Sequence, residues 1–499
     1  MKLSGEFVRF VAVRALMALL LFLTFAAWSF ASAVGGSPDE DYVLTSIWCG
    51  TEGNPPHCRK DPNRPNAMIL PIMAAEPSLC LRQLGQDYSA ACQQEIYGQE
   101  ISTDFFSRGA YPKSFLNVLR IFVGSDVEAS VVKMRLFNSF LAAVLITVAV
   151  SLDWRRSADS FITWLVVAAP VTIYFIASVN TSSWTLIGTT CFTIATLTAL
   201  KNRSTVKIWL PTSVLALVSV WLTNASRNDG KFTLLILVSA ILALEFKPKR
   251  LNHGVHAVVI LLASFTAVAL PFSQFGKLFG TANVFRDPRV EVNGEIVTTA
   301  NNLFINNILN LPKFFMGFFG RWGLGWFEIE LSPTVWIFGL EATLLVVVFS
   351  LTKSSRFEKL TIVSLFNLIS VAVLYLNQRA FAIVGNDIQP RYFLPLFLGT
   401  LIIATYKKSQ SFPSWLLRTV TILSVIANSI ALRDTIRRYT TGQDVLTSKS
   451  LNQPIEWWWK FGPQPETVWL LGSLSLAILF FVAQFEKKRA SDLANKSRV

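Results

Sequence analysis

The residues best suited to chemistry form one acidic stretch at positions 37–42, Ser-Pro-Asp-Glu-Asp-Tyr, which follows the first apolar segment. Carboxylates at a membrane–water boundary are costly unless a partner or a function uses them. Asp39 and Glu40 are therefore candidate catalytic residues, because a carboxylate there can accept a proton from an attacking hydroxyl. A structural explanation is compatible with this one. Ser37 as N-cap, Pro38 as first helical residue and Glu40 three residues after the cap would form a capping box.

Basic side chains predicted to lie at the same membrane face are candidate phosphate ligands. They are Arg227 and Lys231 in the segment 226–231, Arg321 within an aromatic run, and Arg391 in the segment 389–395. The planar fork of an arginine can bind two phosphate oxygens at once. For each cation the alternative is snorkelling to the interface or pairing with a neighbouring carboxylate.

The elements that must position these residues are membrane helices. The chain of 499 residues is 52% apolar and only 15% charged, whereas soluble proteins carry roughly a quarter charged residues. Apolar runs of about 17–25 residues, the length that crosses a bilayer, recur along it. The composition predicts an all-α polytopic membrane protein with about 12 transmembrane helices. The predicted spans lie near residues 12–34, 130–151, 160–179, 184–200, 206–223, 232–246, 254–272, 334–352, 358–377, 391–406, 414–432 and 467–485.

The distribution of the basic residues predicts the orientation. The formal charge of +14 lies largely in short alternate loops and in the basic tail, the pattern of cytoplasmic loops. This explains the charge without a nucleic-acid partner. We expect a multi-pass membrane protein with both termini cytoplasmic and the long loops extracytoplasmic. The first span is predicted to stay uncleaved, although residues 31–33 resemble a signal-peptidase site.

The predicted spans and loops divide the chain into six segments. The loop segments include an outer loop domain with the acidic motif and interfacial helices around 115–123 and 312–326, with packing against the bundle as the alternative for the first helix. A hairpin is predicted at 293–294. The segments are the cytoplasmic amino terminus and first span (1–34), the outer loop domain (35–129), spans 2–7 (130–272), a second outer loop with an aromatic helix (273–333), spans 8–12 (334–485) and a basic tail (486–499).

Four of the five cysteines fall in the first outer loop. An even number in an exported loop predicts two disulfides. Of the three possible pairings, the local one, Cys49 with Cys58 and Cys80 with Cys92, is favoured. A zinc site that includes His57 is the alternative, although the spacing fits no common zinc pattern.

The architecture resembles a known superfamily. An inward amino terminus, one span and a long outer loop that opens with acidic residues resemble the membrane glycosyltransferases of the GT-C fold. The segments 37–41 and 389–395 resemble, more narrowly, actinobacterial members of the domain-of-unknown-function family 2142, a family of predicted membrane proteins.

The resemblance implies a GT-C-like fold and a transferase that uses a polyprenyl-phosphate-sugar donor. The acceptor would be an envelope glycan or lipid at the outer face, among membrane lipids. In the superfamily the early acidic residue serves as catalytic base or as a metal-associated carboxylate, so Asp39 or Glu40 would match and a divalent metal is a candidate cofactor. No protein metal ligand is assigned, and the roles of Arg227 and Arg391 follow from the residues and not from the resemblance.

Other classes of function stay open. The transfer is predicted to invert the anomeric carbon, since no second carboxylate can be assigned as nucleophile. A flippase or exporter of lipid-linked saccharides would place ionisable residues near the midplane, where Glu341 is the clearest case. A non-catalytic envelope scaffold is the third class.

Overall fold

The computed structural model describes residues 5–50, 58–84, 87–106, 111–245, 290–292, 295–297, 300–385, 388–407, 410–443 and 450–496. Helices dominate these residues. They are α1 Gly5–Ala31, α2 Glu40–Cys49, α3 Ile72–Ala75, α4 Leu79–Leu84, α5 Cys92–Ile96, α6 Lys113–Arg120, α7 Val127–Ser151, α8 Trp154–Ala168, α9 Val171–Ile176, α10 Ser182–Lys201, α11 Val206–Ser226, α12 Gly230–Glu245, α13 Ala300–Gly317, α14 Pro333–Thr352, α15 Arg356–Ala380, a 3₁₀ helix Pro390–Tyr392, α16 Leu394–Lys407, α17 Ser414–Thr440 and α18 Pro465–Lys496. The strands are β1 Arg59–Lys60, β2 Met68–Pro71, β3 Glu100–Thr103, β4 Val290–Val292 and β5 Glu295–Val297.

Eight helices in the described part of the chain are long and apolar enough to cross a membrane. They confirm a helical membrane protein with several spans, and they are α1, α7, α10, α11, α14, α15, α17 and α18. The predicted span 160–179 is divided between α8 and α9 at Pro170, because proline lacks the N–H that would continue a helix. The predicted span 254–272 lies outside the described residues. The count of about twelve therefore stays a prediction.

Helix α10 forms the centre of the bundle, since nearly all of its residues are buried. It packs closely against α11, where a Cβ on Gly188 would collide with the Thr223 hydroxyl group. Small residues at a helix interface allow such an approach, and in a membrane van der Waals packing of this kind drives helix association. Helix α1 packs against α7 and α18 at the side of this core. The acidic stretch thus begins where a well-packed helix ends.

The residues between α1 and α7 form the predicted loop domain. Strands β1, β2 and β3 make an antiparallel sheet in that order. The predicted Cys49–Cys58 disulfide is confirmed. Cys92 is also disulfide-bonded, whereas the side chain of Cys80 lies outside the described part of the structure, so the second predicted pairing is not tested. We call the end of the bundle that carries this domain the loop-domain end.

The helix predicted at the membrane surface near 115–123 is packed against the bundle, which was the alternative. Phe115, Leu116 and Leu119 of α6 are fully buried, and the Phe115 ring lies 5.1 Å from that of Trp184. The apolar spacing of α6 therefore reflects a protein contact.

The second long loop contains the predicted hairpin and a helix that ends earlier than the aromatic run. Val292 pairs with Glu295 across β4 and β5, which confirms the hairpin, while residues 293–294 themselves lie outside the described residues. Helix α13 ends at Gly317, and the next ring, Phe318, stacks on Phe397 of α16 at 4.3 Å. The aromatic run therefore contributes to the interior of the bundle.

Candidate functional site

The acidic stretch turns sharply before α2. The helix begins at Glu40, and Asp39 precedes it with a left-handed backbone (φ 62°) and no side-chain capping bond. The predicted capping box is therefore wrong, although the Ser37 amide does donate to a Glu40 oxygen at 3.4 Å. The Ser37 hydroxyl bonds Ser178 instead. Because a positive φ is uncommon outside glycine, the turn at Asp39 indicates a backbone held by its surroundings.

Glu40 is held in a buried ion pair. Its carboxylate accepts from Arg135 of α7 at 2.7 and 3.1 Å, and both side chains are fully buried. One Glu40 oxygen also accepts from the Val179 amide at 3.0 Å. Arg135 further donates to backbone carbonyls at the end of α1, including that of Ser32 at 2.6 Å. Since its oxygens are occupied in this way, Glu40 joins the acidic stretch to α1 and α7, and Asp39 remains the candidate base.

Asp39 forms an ion pair with Arg391, one of the predicted phosphate ligands. An Asp39 oxygen accepts from Nη2 of Arg391 at 2.8 Å across 352 positions of sequence. The Asp39 side chain is 34% exposed, whereas that of Arg391 is 5% exposed. Nε and Nη1 of Arg391 have no hydrogen-bond partner among the described residues. The partly exposed Asp39 carboxylate thus pairs with the buried Arg391 guanidinium, and two nitrogens of that guanidinium have no partner among the described residues.

Arg227 lies beside Arg391 and shares an aromatic ring with it. The Arg227 and Arg391 guanidinium carbons lie 5.2 and 5.1 Å from the centre of the Tyr392 ring. Arg227 is paired in bidentate fashion with Asp229 at 2.6 and 2.8 Å. Burial opposes ionisation of Asp229, but the adjacent Arg227 guanidinium holds its pKa below the ordinary value. The charge of Arg227 is thus balanced by Asp229, whereas Nε and Nη1 of Arg391 lack partners among the described residues.

Tyr111 belongs to the same group, which the sequence did not indicate. Burial raises the pKa of the Tyr111 hydroxyl, and the nearby Asp39 carboxylate raises it further, while Arg227 and Arg391 oppose them. The phenol therefore stays protonated at neutral pH. We call Asp39, Tyr111, Arg227, Arg391 and Tyr392 the charge cluster.

The cavity beside the charge cluster is nearly closed. Ser182, Arg227, Asp229, Arg391 and Tyr392 help to line it. Its volume is about 10 Å³, which is room for about one water molecule. Small-molecule sites typically have a few hundred Å³, so a ligand of that size would fit beside the charge cluster only if the lining side chains moved apart.

Two predicted phosphate ligands lie outside this arrangement. Lys231 is half-buried in the first turn of α12 and is not among the residues lining the cavity. Arg321 is exposed, and its guanidinium lies 5.7 Å from the Trp336 ring. The described residues contain no group of three side chains that could hold a metal ion.

A buried carboxyl that the sequence analysis missed lies behind the acidic stretch. Glu328 of the second long loop accepts from the Tyr439 hydroxyl at 2.9 Å, and its other oxygen has no partner among the described residues. The loop is attached to residue 35, because the Trp326 indole N–H donates to the Gly35 carbonyl at 3.0 Å. Burial raises the pKa of Glu328 to about 7, although Arg438 and Tyr439 oppose the rise.

This carboxyl predicts a pH-dependent stability. Because the folded protein holds the Glu328 proton more tightly, its stabilising contribution is complete below the ordinary pKa of 4.5 and is lost as the pH rises through about 7. Replacing Glu328 with glutamine should remove this loss. We expect the melting temperature of E328Q to exceed that of the wild type by an increasing margin from pH 5 to pH 8, whereas the neighbouring E330Q should follow the wild type. A difference in melting temperature between E328Q and the wild type that stays constant from pH 5 to pH 8 would contradict the raised pKa of Glu328.

The fold and the charge cluster define a class of protein, a multi-span helical membrane protein with an arginine-rich polar site at one end of its bundle. The comparison with family models is more specific. The model described as Predicted membrane protein (DUF2142) matches residues 22–400, so the chain belongs to that family. Neither a curated protein nor a solved structure matches the chain.

Proposed function

We propose that this protein is a membrane glycosyltransferase that moves a sugar from a polyprenyl-phosphate donor to an envelope glycan or lipid acceptor. The observation that carries the proposal is Arg391. It is a buried guanidinium at the loop-domain end with one nitrogen on Asp39 and two nitrogens without partners among the described residues.

The unfilled donors of Arg391 favour an anionic ligand with several oxygens. A buried donor that lacks an acceptor costs roughly 1–3 kcal/mol, more when the group is charged. A phosphate presents oxygens to such a fork in bidentate fashion. Arg227 is a weaker candidate for the phosphate ligand, since its charge is balanced by Asp229. Arg227 and Arg391 both contact the Tyr392 ring, which keeps the two guanidinium groups close together.

The location of the cluster fits a ligand that keeps its tail in the membrane. Arg391 lies in the 3₁₀ helix directly before the apolar helix α16, and Arg227 directly follows the membrane span α11. The positive-inside pattern assigns this end to the extracytoplasmic side of a bacterial plasma membrane, with both termini cytoplasmic. A prenyl chain can stay among lipids while its phosphate reaches Arg391.

Asp39 supplies the base in this proposal. The lipid phosphate competes with the Asp39 carboxylate for Arg391, so donor binding releases Asp39 at the place where the reaction occurs. The acceptor hydroxyl oxygen then bonds to the anomeric carbon, its proton passes to Asp39, and the anomeric carbon–oxygen bond breaks with its electron pair going to the phosphate. Arg391 stabilises the charge that develops on this leaving group.

The stereochemical outcome follows from the carboxylates. A retaining mechanism needs a second carboxylate as nucleophile, and Glu40 is committed to Arg135. We therefore propose direct displacement by the acceptor, with inversion at the anomeric carbon.

The proposal is tested with purified protein in lipid nanodiscs supplied with polyprenyl-phosphate sugars and envelope glycan acceptors. We expect the wild type to release polyprenyl phosphate and form a glycoside. The variant R391Q should be slower by about 10²–10³-fold, the usual cost of losing a positioned donor to a developing anion. R321Q is the matched control and should act as the wild type, since Arg321 lies outside the charge cluster. Movement of a fluorescent donor across vesicles without cleavage would instead show an exporter and overturn the proposal.

A further inference from the structure

A second cavity lies within the loop domain, away from the charge cluster. Its volume is about 260 Å³. Three parts of the domain meet around it: the carboxyl end of α2, all three strands of the sheet, and the turn before α7. The lining residues are Trp48, Cys58, Arg59, Ile69, Pro71, Glu100, Gly124 and Ser125.

The polar groups of this cavity are balanced in charge. Arg59 of β1 and Glu100 of β3 form a bidentate pair, with Nη1 3.0 Å from Oε1. Both side chains are exposed, Arg59 by 64% and Glu100 by 44%, and together they present donors and acceptors to a ligand without net charge. Neither a phosphate nor an ammonium group would find an uncompensated partner there. A neutral ligand with hydroxyl groups would bond both side chains.

Trp48, in the wall of the cavity, has an unused donor. The residue is only 1% exposed, and its indole N–H has no hydrogen-bond partner among the described residues. Buried tryptophan N–H groups usually have a partner, and leaving one unpaired costs roughly 1–3 kcal/mol. A ligand oxygen in the cavity would remove this cost.

We propose that this cavity binds one ring of a neutral saccharide through Trp48, Arg59 and Glu100. Ile69 and Pro71, which are partly exposed, offer apolar contact to a sugar ring. The Arg59–Glu100 pair offers hydrogen bonds to its hydroxyl groups. Small-molecule sites have this character, with a few positioned polar groups among apolar ones.

The cavity is placed to hold the far part of an acceptor, and this assignment of its role rests on the proposed function. Trp48 lies nine residues after Asp39 along α2, about 14 Å at the rise of a helix. Between them Tyr42 contacts the rings of Phe105 and Tyr111, with centroids 4.8 and 5.7 Å away. Within α2 only Tyr42 is partly exposed, so an acceptor of a few sugars would pass over the surface of the loop domain beside Tyr42 to reach Asp39.

Ring binding is measured on the full-length protein in detergent by saturation-transfer NMR. The probes are the methyl glycosides of glucose, mannose, galactose and N-acetylglucosamine, together with maltotriose. We expect at least one probe to bind, and the variants E100Q and W48F to weaken its binding at least tenfold. D104N is the matched control, since Asp104 forms an exposed pair with Arg64 in the same domain. Absence of binding by every probe, or binding that E100Q and W48F leave unchanged, would overturn the inference.

A variant of the candidate base separates this inference from the proposed function. D39N should bind the probe as the wild type does, because Asp39 is remote from the cavity. Probe binding together with absence of any transfer by the wild type would refute the transferase and leave the saccharide site standing. Transfer without probe binding would refute the site alone.

Discussion

Replacing Asp39 with asparagine is expected to lower sugar transfer by about 10²–10⁴-fold, the range that a positioned general base contributes. The amide cannot take the proton of the acceptor hydroxyl, yet it keeps the size of the side chain and an oxygen for Arg391. Asparagine also tolerates the left-handed backbone of this position better than most residues. The rate of polyprenyl-phosphate release by wild type and D39N measures the effect.

Protein level and thermal stability provide the control for this variant. Asp39 is partly exposed, but its partner Arg391 is buried, and a buried guanidinium that loses its counter-charge is destabilising. We therefore expect a lowered melting temperature for D39N, and a single cooperative transition would show that the variant is folded. Normal transfer by the folded variant would remove Asp39 from the mechanism.

The second large effect is expected at Glu40, on stability. In E40Q the buried Arg135 loses its counter-charge, and breaking a buried pair in this way costs about 3–5 kcal/mol. That is a large part of the stability of a typical protein. We expect little monodisperse E40Q after extraction and a strongly lowered melting temperature for the material that remains.

The double variant E40Q/R135M identifies the cause of this loss. Replacing the unpaired Arg135 with methionine should raise the stability above that of E40Q, because well-packed apolar replacements of buried ion pairs are often neutral. D104N again serves as the control, since exposed pairs contribute about 0–1 kcal/mol. Equal stability of E40Q and the wild type would show that the Glu40–Arg135 pair does not hold the acidic stretch in place.

The pairing of Asp39 with Arg391, and the position of Arg227 beside Arg391, could be predicted from the sequence. Span lengths and loop charges place the ends of helices on one side of a membrane, and polar residues that cannot lie in lipid must gather there. Hydropathy located the eight long spans for the same reason, since length and composition decide whether a helix can cross. It could not locate the break at Pro170 or the ends of short buried helices, which depend on packing against neighbours.

The different partners of Asp39 and Glu40 could not be predicted from the sequence. Adjacent carboxylates look alike in sequence, and only the position of Arg135 shows which one is neutralised. A signal was present, because an arginine inside a predicted span requires a partner in the protein. Glu328 gave no such signal, since its burial results from how the second long loop folds over residues 35–36.

The most direct test of the central claim is the retention of polyprenyl phosphate by the purified protein, measured by native mass spectrometry in the wild type, R391Q and R379Q. Arg379, which contacts Tyr375 at the end of α15, is the matched control. If Arg391 is the lipid-phosphate ligand of the charge cluster, R391Q should lose at least tenfold in retention while R379Q keeps it. Equal retention by R391Q and the wild type would contradict the phosphate site, and with it the role given to Asp39.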